Sequence, residues 1–296
     1  MSAVRTSRKT TGPGRDKSGG GGFGANATFI AVGILLSLLF VGPLAVAIVR
    51  SLQESSQIVQ PPNGQSLVGL SLQNYIAIFT KLPFFQFLAN SLIVSLGGAI
   101  GNAVIATLAG YGLARFKFRG SGVAFAVILV ALMVPFQALL TPIYLEFNVF
   151  GLIDNRLGLI IFYVTFNLPF GVFVMRNTFA AIPKELEEAA YVDGDSVMGT
   201  LFHILRPMAL PGIATVMIFT FLACWTEFLG AFTFLTSEDK QTLPVALLAL
   251  SQGAYGAVNF GYLIAGSVVS MVPCVILYIA LQRFYVQGLA AGSLKS

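Results

Sequence analysis

Apolar residues along the chain gather into six long runs, 27–49, 88–113, 123–145, 157–175, 209–235 and 259–281, separated by shorter polar stretches. Of the 17 basic and 12 acidic residues, only Glu227 lies inside a run. As an α-helix rising about 1.5 Å per residue, each run is long enough to cross a hydrocarbon core about 30 Å thick. The pattern predicts an all-α integral membrane fold with six transmembrane helices and both termini on one side.

Composition agrees. Hydrophobic residues make up 56% of the chain and charged residues 10%, against roughly 25% charged in soluble domains. The mean hydropathy is +0.84. So few charges cannot cover a water-facing surface, and most of this one faces lipid. Cys224 and Cys274 both lie in apolar runs and pack as small hydrophobes, not as a disulfide framework. His203, the single histidine, makes no histidine-based metal site.

The basic residues give an orientation. Arg5, Arg8, Lys9, Arg15 and Lys17 precede the first run; Arg115, Lys117 and Arg119 follow the second; Arg176, Lys184 and Arg206 follow the fourth; Arg283 and Lys295 follow the last. All of these share one side, and only Arg50, Lys81, Arg156 and Lys240 fall on the other. The excess of Lys and Arg marks the cytoplasmic side, so both termini are expected there, in a multi-pass membrane protein. The net charge of +5 is therefore a topology signal. Positives divided among short loops do not make a nucleic-acid surface.

Three regions follow: a disordered basic, glycine-rich tail (1–26), a six-span domain (27–281) and a cytoplasmic C-terminal tail (282–296). Gly19, Gly21 and Gly24 formally fit a dinucleotide-binding glycine pattern, but no strand precedes them, and the low-complexity reading wins. Outside, loop 50–87 has a turn cluster at Pro61-Pro62-Asn63-Gly64, and Leu72 to Phe79 reads as a short interfacial helix. Loop 236–258 is polar, then apolar, and is expected to dip toward the membrane.

Segment 176–208, on the cytoplasmic side, holds five acidic residues, Glu185, Glu187, Glu188, Asp193 and Asp195. Pro183 suits a helix start, Glu185 and Glu187 suit its positive end, and Gly194 suits its stop. Leu186, Ala189, Ala190 and Asp193 share one face at helical spacing. Asp195 or Ser196 caps a second short helix, which is expected to end at Pro207. The small Ala189-Ala190 step permits close approach of a partner surface.

Glu188-Ala189-Ala190, Gly194 four residues on, and Ile204-x-x-Pro207 together resemble the "EAA" loop of ABC importer permeases; Asp193 fits, and Arg206 stands where the family usually has an apolar residue. Pro183 to Leu186, Pro135, Gln137, Pro142 to Tyr144 and Trp225-Thr226-Glu227 are similar to the carbohydrate-uptake branch, with Thr226 in place of Asn. Gly288 to Ser296 resembles the tail of the maltose-type second permease subunit. This resemblance implies that Glu188, Ala189, Ala190, Asp193, Gly194, Ile204 and Pro207 form a coupling element seated on an ATPase subunit. It implies a C-terminal ATPase contact through Gly288, Gly292 and Lys295. It also implies a second related permease, two cytoplasmic ATPase subunits and an extracytoplasmic solute-binding protein as partners, and a sugar as substrate.

No phosphate-binding loop and no metal-ligand cluster occurs in the sequence, so this chain is not expected to be an enzyme. The resemblance implies no cofactor in this chain, with ATP and Mg bound by the partner ATPase subunits. Glu227 is the residue with a cost to explain. An acid at the middle of a span costs about 2.5–3.5 kcal/mol on insertion scales, so it faces protein or a wet cavity. It is either a pathway residue or the anchor of an interhelical hydrogen bond. Asn90 and Gln137 are further pathway candidates. Gly97, Gly98, Gly101, Gly110 and Gly112 offer a close-packing face to a helix of this chain or of a second permease. Two rival readings stand: an importer for another solute such as a glycerol phosphate, and an ion-coupled secondary transporter with Glu227 as its ion site.

Overall fold

A computed structural model describes residues 22–54, 58, 70–256 and 258–293. The chain divides into two units, 1–48 and 49–296. The first contains most of α1 (Gly22–Ser51), an almost wholly apolar helix with Pro43 inside it.

The second unit is built from helices alone among the described residues. A short helix, α2 (Gln73–Lys81), leads into the long α3 (Phe84–Arg115). Then come α4 (Ser121–Ala131), α5 (Phe136–Val149) and the long α6 (Arg156–Ala181). A short α7 (Glu185–Val192) precedes α8 (Val197–Thr200), which runs through a π turn at Leu201–Leu205 into α9 (Arg206–Thr226). After α10 (Leu229–Phe234) and a 3₁₀ turn (Glu238–Lys240) come α11 (Leu243–Ser251) and α12 (Phe260–Ser293). Five helical stretches are long and apolar enough to cross a membrane singly, and six if α4 and α5, bent by 99° at the break between them, count together as one span.

α3 and α6 form the centre, with α9 against both. The glycine face of α3 explains their closeness. A Cβ at Gly97 would lie 2.8 Å from Ile160, one at Gly101 2.8 Å from Val164, and one at Gly110 2.6 Å from Met175. These are α6 residues, so that face packs within this chain; Gly112 has nothing within 4 Å. Asn102, fully buried on α3, donates to the Asn167 carbonyl of α6 at 3.1 Å and to Thr220 Oγ1 of α9 at 2.7 Å, pinning three helices at one point. α12 lies against α9, where Trp225 Nε1 donates to the Ser270 carbonyl at 3.0 Å.

Four expectations change at this level. The run 123–145 is not one helix: α4 ends at Ala131, and Pro135 precedes α5 in extended conformation, φ −67° and ψ 120°. The run 209–235 is also interrupted, between Thr226 and Leu229. The second helix of the cytoplasmic segment does not end at Pro207. The chain widens into the π turn just before it, and Val197–Thr226 forms one continuous span. The widened turn takes up the steric conflict of a proline ring with the preceding turn. Last, the apolar half of loop 236–258 is not loop but a helix, α11; its Leu243, Val245, Ala246 and Leu250 are buried against the spans, in keeping with a segment that turns back toward the membrane. At the chain's end α12 runs without a break past position 281 to Ser293.

Candidate coupling element and transmembrane cavity

α7 is held by a buried ion pair. Glu187 turns inward and its carboxylate meets the Arg115 guanidinium at the end of α3; their side chains are 9% and 5% exposed. The same guanidinium donates to the Ile182 carbonyl at 2.8 Å. One arginine thus fixes both the turn ahead of α7 and α7 itself. Breaking such a pair by removing one partner costs about 3–5 kcal/mol, because a buried charge is left alone. The sequence pattern marked Glu187 only as an acid suited to the positive end of the helix, and it gave no sign of Arg115 as partner.

The stop of α7 is built as expected. Gly194 has φ +83°, its N–H donates to the Tyr191 carbonyl at 3.1 Å, and the Asp195 N–H donates to the Ala190 carbonyl at 3.0 Å. This pair of bonds is a Schellman C-cap, in which a glycine takes the left-handed position without strain. Ser196 then caps α8 by accepting from the Gly199 N–H at 3.0 Å. The expected common face of Leu186, Ala189, Ala190 and Asp193 splits. Ala190 is buried with Glu187, one turn apart on the inner side, whereas Leu186, Glu188, Ala189 and Asp193 are exposed. Val192 joins them at 87% exposure. On the following segment Val197, Met198 and Phe202 are exposed, Ile204 is half-buried and Pro207 is exposed.

Glu227 does not sit mid-helix. It follows the last residue of α9 with φ −71° and ψ 126°. Its Oε1 accepts from the Gly230 N–H at 2.8 Å, and its Oε2 from the Ala231 N–H at 3.1 Å and the Tyr163 hydroxyl at 2.6 Å. The first amides of α10 have no carbonyl within their own helix, and this carboxylate satisfies two of them. Glu227 and Tyr163 also border a cavity of about 240 Å³, lined further by Phe136, Phe162, Phe166, Asn167 and Ala223. Asn167 donates back to the Tyr163 carbonyl at 2.8 Å.

The other pathway candidates lie apart from this cavity. Asn90 is buried and its amide donates to the carbonyls of Asp239 and Gln241, both at 2.9 Å, so it holds the turn before α11. Gln137 is exposed in the first turn of α5. Near Asn90 the same turn is clasped from the other side. Lys240 Nζ lies 2.7 Å from Asp154 Oδ2, and Asp154 also accepts from the Ser237 hydroxyl and the N–H groups of Thr236 and Ser237. The Lys240 ammonium, then the Ser237 hydroxyl, hold the Asp154 carboxyl well below the usual carboxylate range. Of the expected C-terminal contacts, Gly288 and Gly292 fall within α12, and Lys295 lies outside the described residues.

Long apolar helices, one bent pair and the short capped α7 between α6 and α9 define a multi-pass membrane protein. The family described as "Binding-protein-dependent transport system inner membrane component" matches residues 103–290, and the chain belongs to it. It is 31% identical over 263 residues to the diacetylchitobiose uptake system permease protein NgcG of Streptomyces coelicolor, covering 88% of this chain and 86% of that one. It is 31% identical over 266 residues to the trehalose/maltose transport system permease protein MalG of Thermococcus litoralis, covering 88% and 94%. A chain in the crystal structure of a bacterial ABC transporter that imports the acidic polysaccharide alginate shares the fold, with a TM-score of 0.76 at 22% identity over 93% of this chain and all of that one.

Proposed function

We propose that this chain is one of two related permease subunits of an ATP-driven importer that takes a sugar from an extracytoplasmic binding protein. Two cytoplasmic ATPase subunits dock below and supply the hydrolysis, with ATP and Mg bound there and not in this chain. Both termini lie in the cytoplasm. The motion of the closing ATPase pair enters through α7 and turns the pathway outward; hydrolysis resets it.

The observation that carries the reading is the outer face of α7. Leu186, Ala189 and Val192 present an apolar strip flanked by Glu188 and Asp193, on a helix only eight residues long. An apolar strip on so short an element is a place for a partner. The buried Arg115–Glu187 pair supports the same reading, since a lever must be fixed to what it moves. The named substrates of the relatives support a sugar, and the family supports delivery by a binding protein.

The test is purification of the tagged chain from its own membranes, followed by reconstitution in vesicles. A sister permease and an ATPase should be recovered with it, and labelled oligosaccharide should enter only with ATP and the binding protein present. Uptake that follows an imposed ion gradient without ATP would overturn the proposal.

A further inference from the structure

Between α3 and the α8–α9 segment runs an apolar groove of about 390 Å³. Ile100, Val104 and Leu108 form one wall, and Phe202, Ile213 and Met217 the other. Thr107 also borders it, but its hydroxyl is already given to the Ala103 carbonyl at 2.6 Å, so the wall stays apolar in character. At the end nearer α7 the groove meets Arg206, which is exposed and has no carboxylate partner among the described residues.

We propose that this groove holds an acyl chain of an acidic phospholipid, with the lipid phosphate on the Arg206 guanidinium. Three features select this occupant. Both walls belong to helices long and apolar enough to cross a membrane, so the groove lies at the depth of the bilayer, within reach of lipid tails. From Arg206 to Met217 the helix rises about 16 Å, at about 1.5 Å per residue, which is half of a hydrocarbon core of about 30 Å. The groove is therefore one leaflet deep, with its cation at the headgroup end. The charge also matches: a guanidinium pairs a phosphate through two parallel hydrogen bonds, and a purely apolar helix laid in the groove would leave it without that partner.

The π turn sets this geometry. The Arg206 N–H donates to the Leu201 carbonyl, five residues back, so Arg206 returns beneath Leu201 and Phe202. In an α-helix of 3.6 residues per turn, a fifth residue would face well away from the first. Both Leu201 and Phe202 line the groove with Arg206. Arg206 is also the loop-motif position that departs from the family pattern. The proposal concerns the lipid face and holds whichever solute crosses.

The experiment uses the purified complex in bilayers carrying a diazirine-labelled phosphatidylglycerol, or a phosphatidylcholine with the same chains. After illumination, the labelled peptides are mapped by mass spectrometry. Labels are expected on peptides containing Val104–Leu108 and Phe202–Ile213. Phosphatidylglycerol should be favoured about fivefold, the factor equivalent to about 1 kcal/mol for one basic residue near an acidic surface. Arg206→Gln should bring the ratio close to one at unchanged subunit recovery. Ile213→Trp should fill the groove and remove labelling by both lipids, with Arg206 in place. Equal labelling by the two lipids in the unaltered complex would overturn the proposal. So would an unlabelled groove whose Leu108→Cys variant cross-links to the sister permease, since a protein helix would then be the occupant.

Discussion

Glu227 is an acid that its surroundings put to use as an acceptor. Three donors converge on its two oxygens, two from the backbone of α10 and one from Tyr163. The sequence made its cost visible, because no other charge lies in an apolar run. It did not make the remedy visible, because Phe228 to Leu235 is as apolar as the stretch before it, and nothing in Trp225-Thr226 announces a helix end. Between the two readings of this residue, the geometry favours the hydrogen-bonding anchor, placed at the rim of a cavity. An unsatisfied buried donor costs roughly 1–3 kcal/mol. Glu227→Leu, which strands the three donors, is expected to lower the melting temperature of the purified complex and reduce recovery of the sister permease. Tyr163→Phe removes one donor and leaves the carboxylate its two amides, and its effect should be smaller. A Glu227→Leu complex that melts and assembles like the unaltered one would dismiss the anchor role.

At the level of the element, some helix ends were written in the sequence and others were not. Gly194 was legible as a stop because a left-handed position favours glycine, and the structure puts it there at φ +83°. Proline was not a reliable sign. Pro43, Pro142, Pro169, Pro211 and Pro273 all lie inside helices, whereas Pro135 stands at a 99° corner. Neighbouring turns and packing decide which prolines are absorbed, and neither can be read from position alone. The face of α7 was half legible. Helical spacing grouped Ala190 with Ala189, but a distant partner, Arg115, pulls the Glu187 side inward and Ala190 goes with it. Gly194 gives a test at this scale. A side chain in the left-handed region costs roughly 1–2 kcal/mol. A Cβ at Gly194 would meet nothing within 4 Å, so strain is the whole penalty inside this chain. Aspartate tolerates that backbone at least as well as alanine, so strain alone would not make Gly194→Asp the worse variant. Docking of an ATPase on α7, as proposed, would reverse this, because the longer, charged side chain would meet the partner. Both variants should reach the membrane and pair with the sister permease, and Gly194→Asp should lose more of the sugar-stimulated ATP hydrolysis than Gly194→Ala. Equal or inverted losses would remove α7 as the docking surface.

For the molecule as a whole, six spans were legible because apolar runs about a membrane thick leave few other folds. The proposed orientation rests on the basic residues and is open to a direct experiment. With Cys224 and Cys274 replaced by alanine, Thr236→Cys should react with an impermeant maleimide added outside, and Val192→Cys only after permeabilisation. Both positions are exposed, so access and not burial decides the result. External labelling at Val192 would invert the topology and with it the coupling scheme. The corner between α4 and α5 carries a different consequence. Ahead of it stands Met133, 81% exposed, and around it the regular ladder of helical hydrogen bonds stops. In hydrocarbon each backbone group left without a partner costs several kcal/mol, so an irregular stretch at this depth persists only against protein or water. The place where α4 turns into α5 is therefore expected to face protein or water, out of reach of the lipid tails. Deuterium exchange at the Gln137 amide, one residue into α5, should run at the pace of a wetted surface while the amides of α3 at the same depth stay protonated.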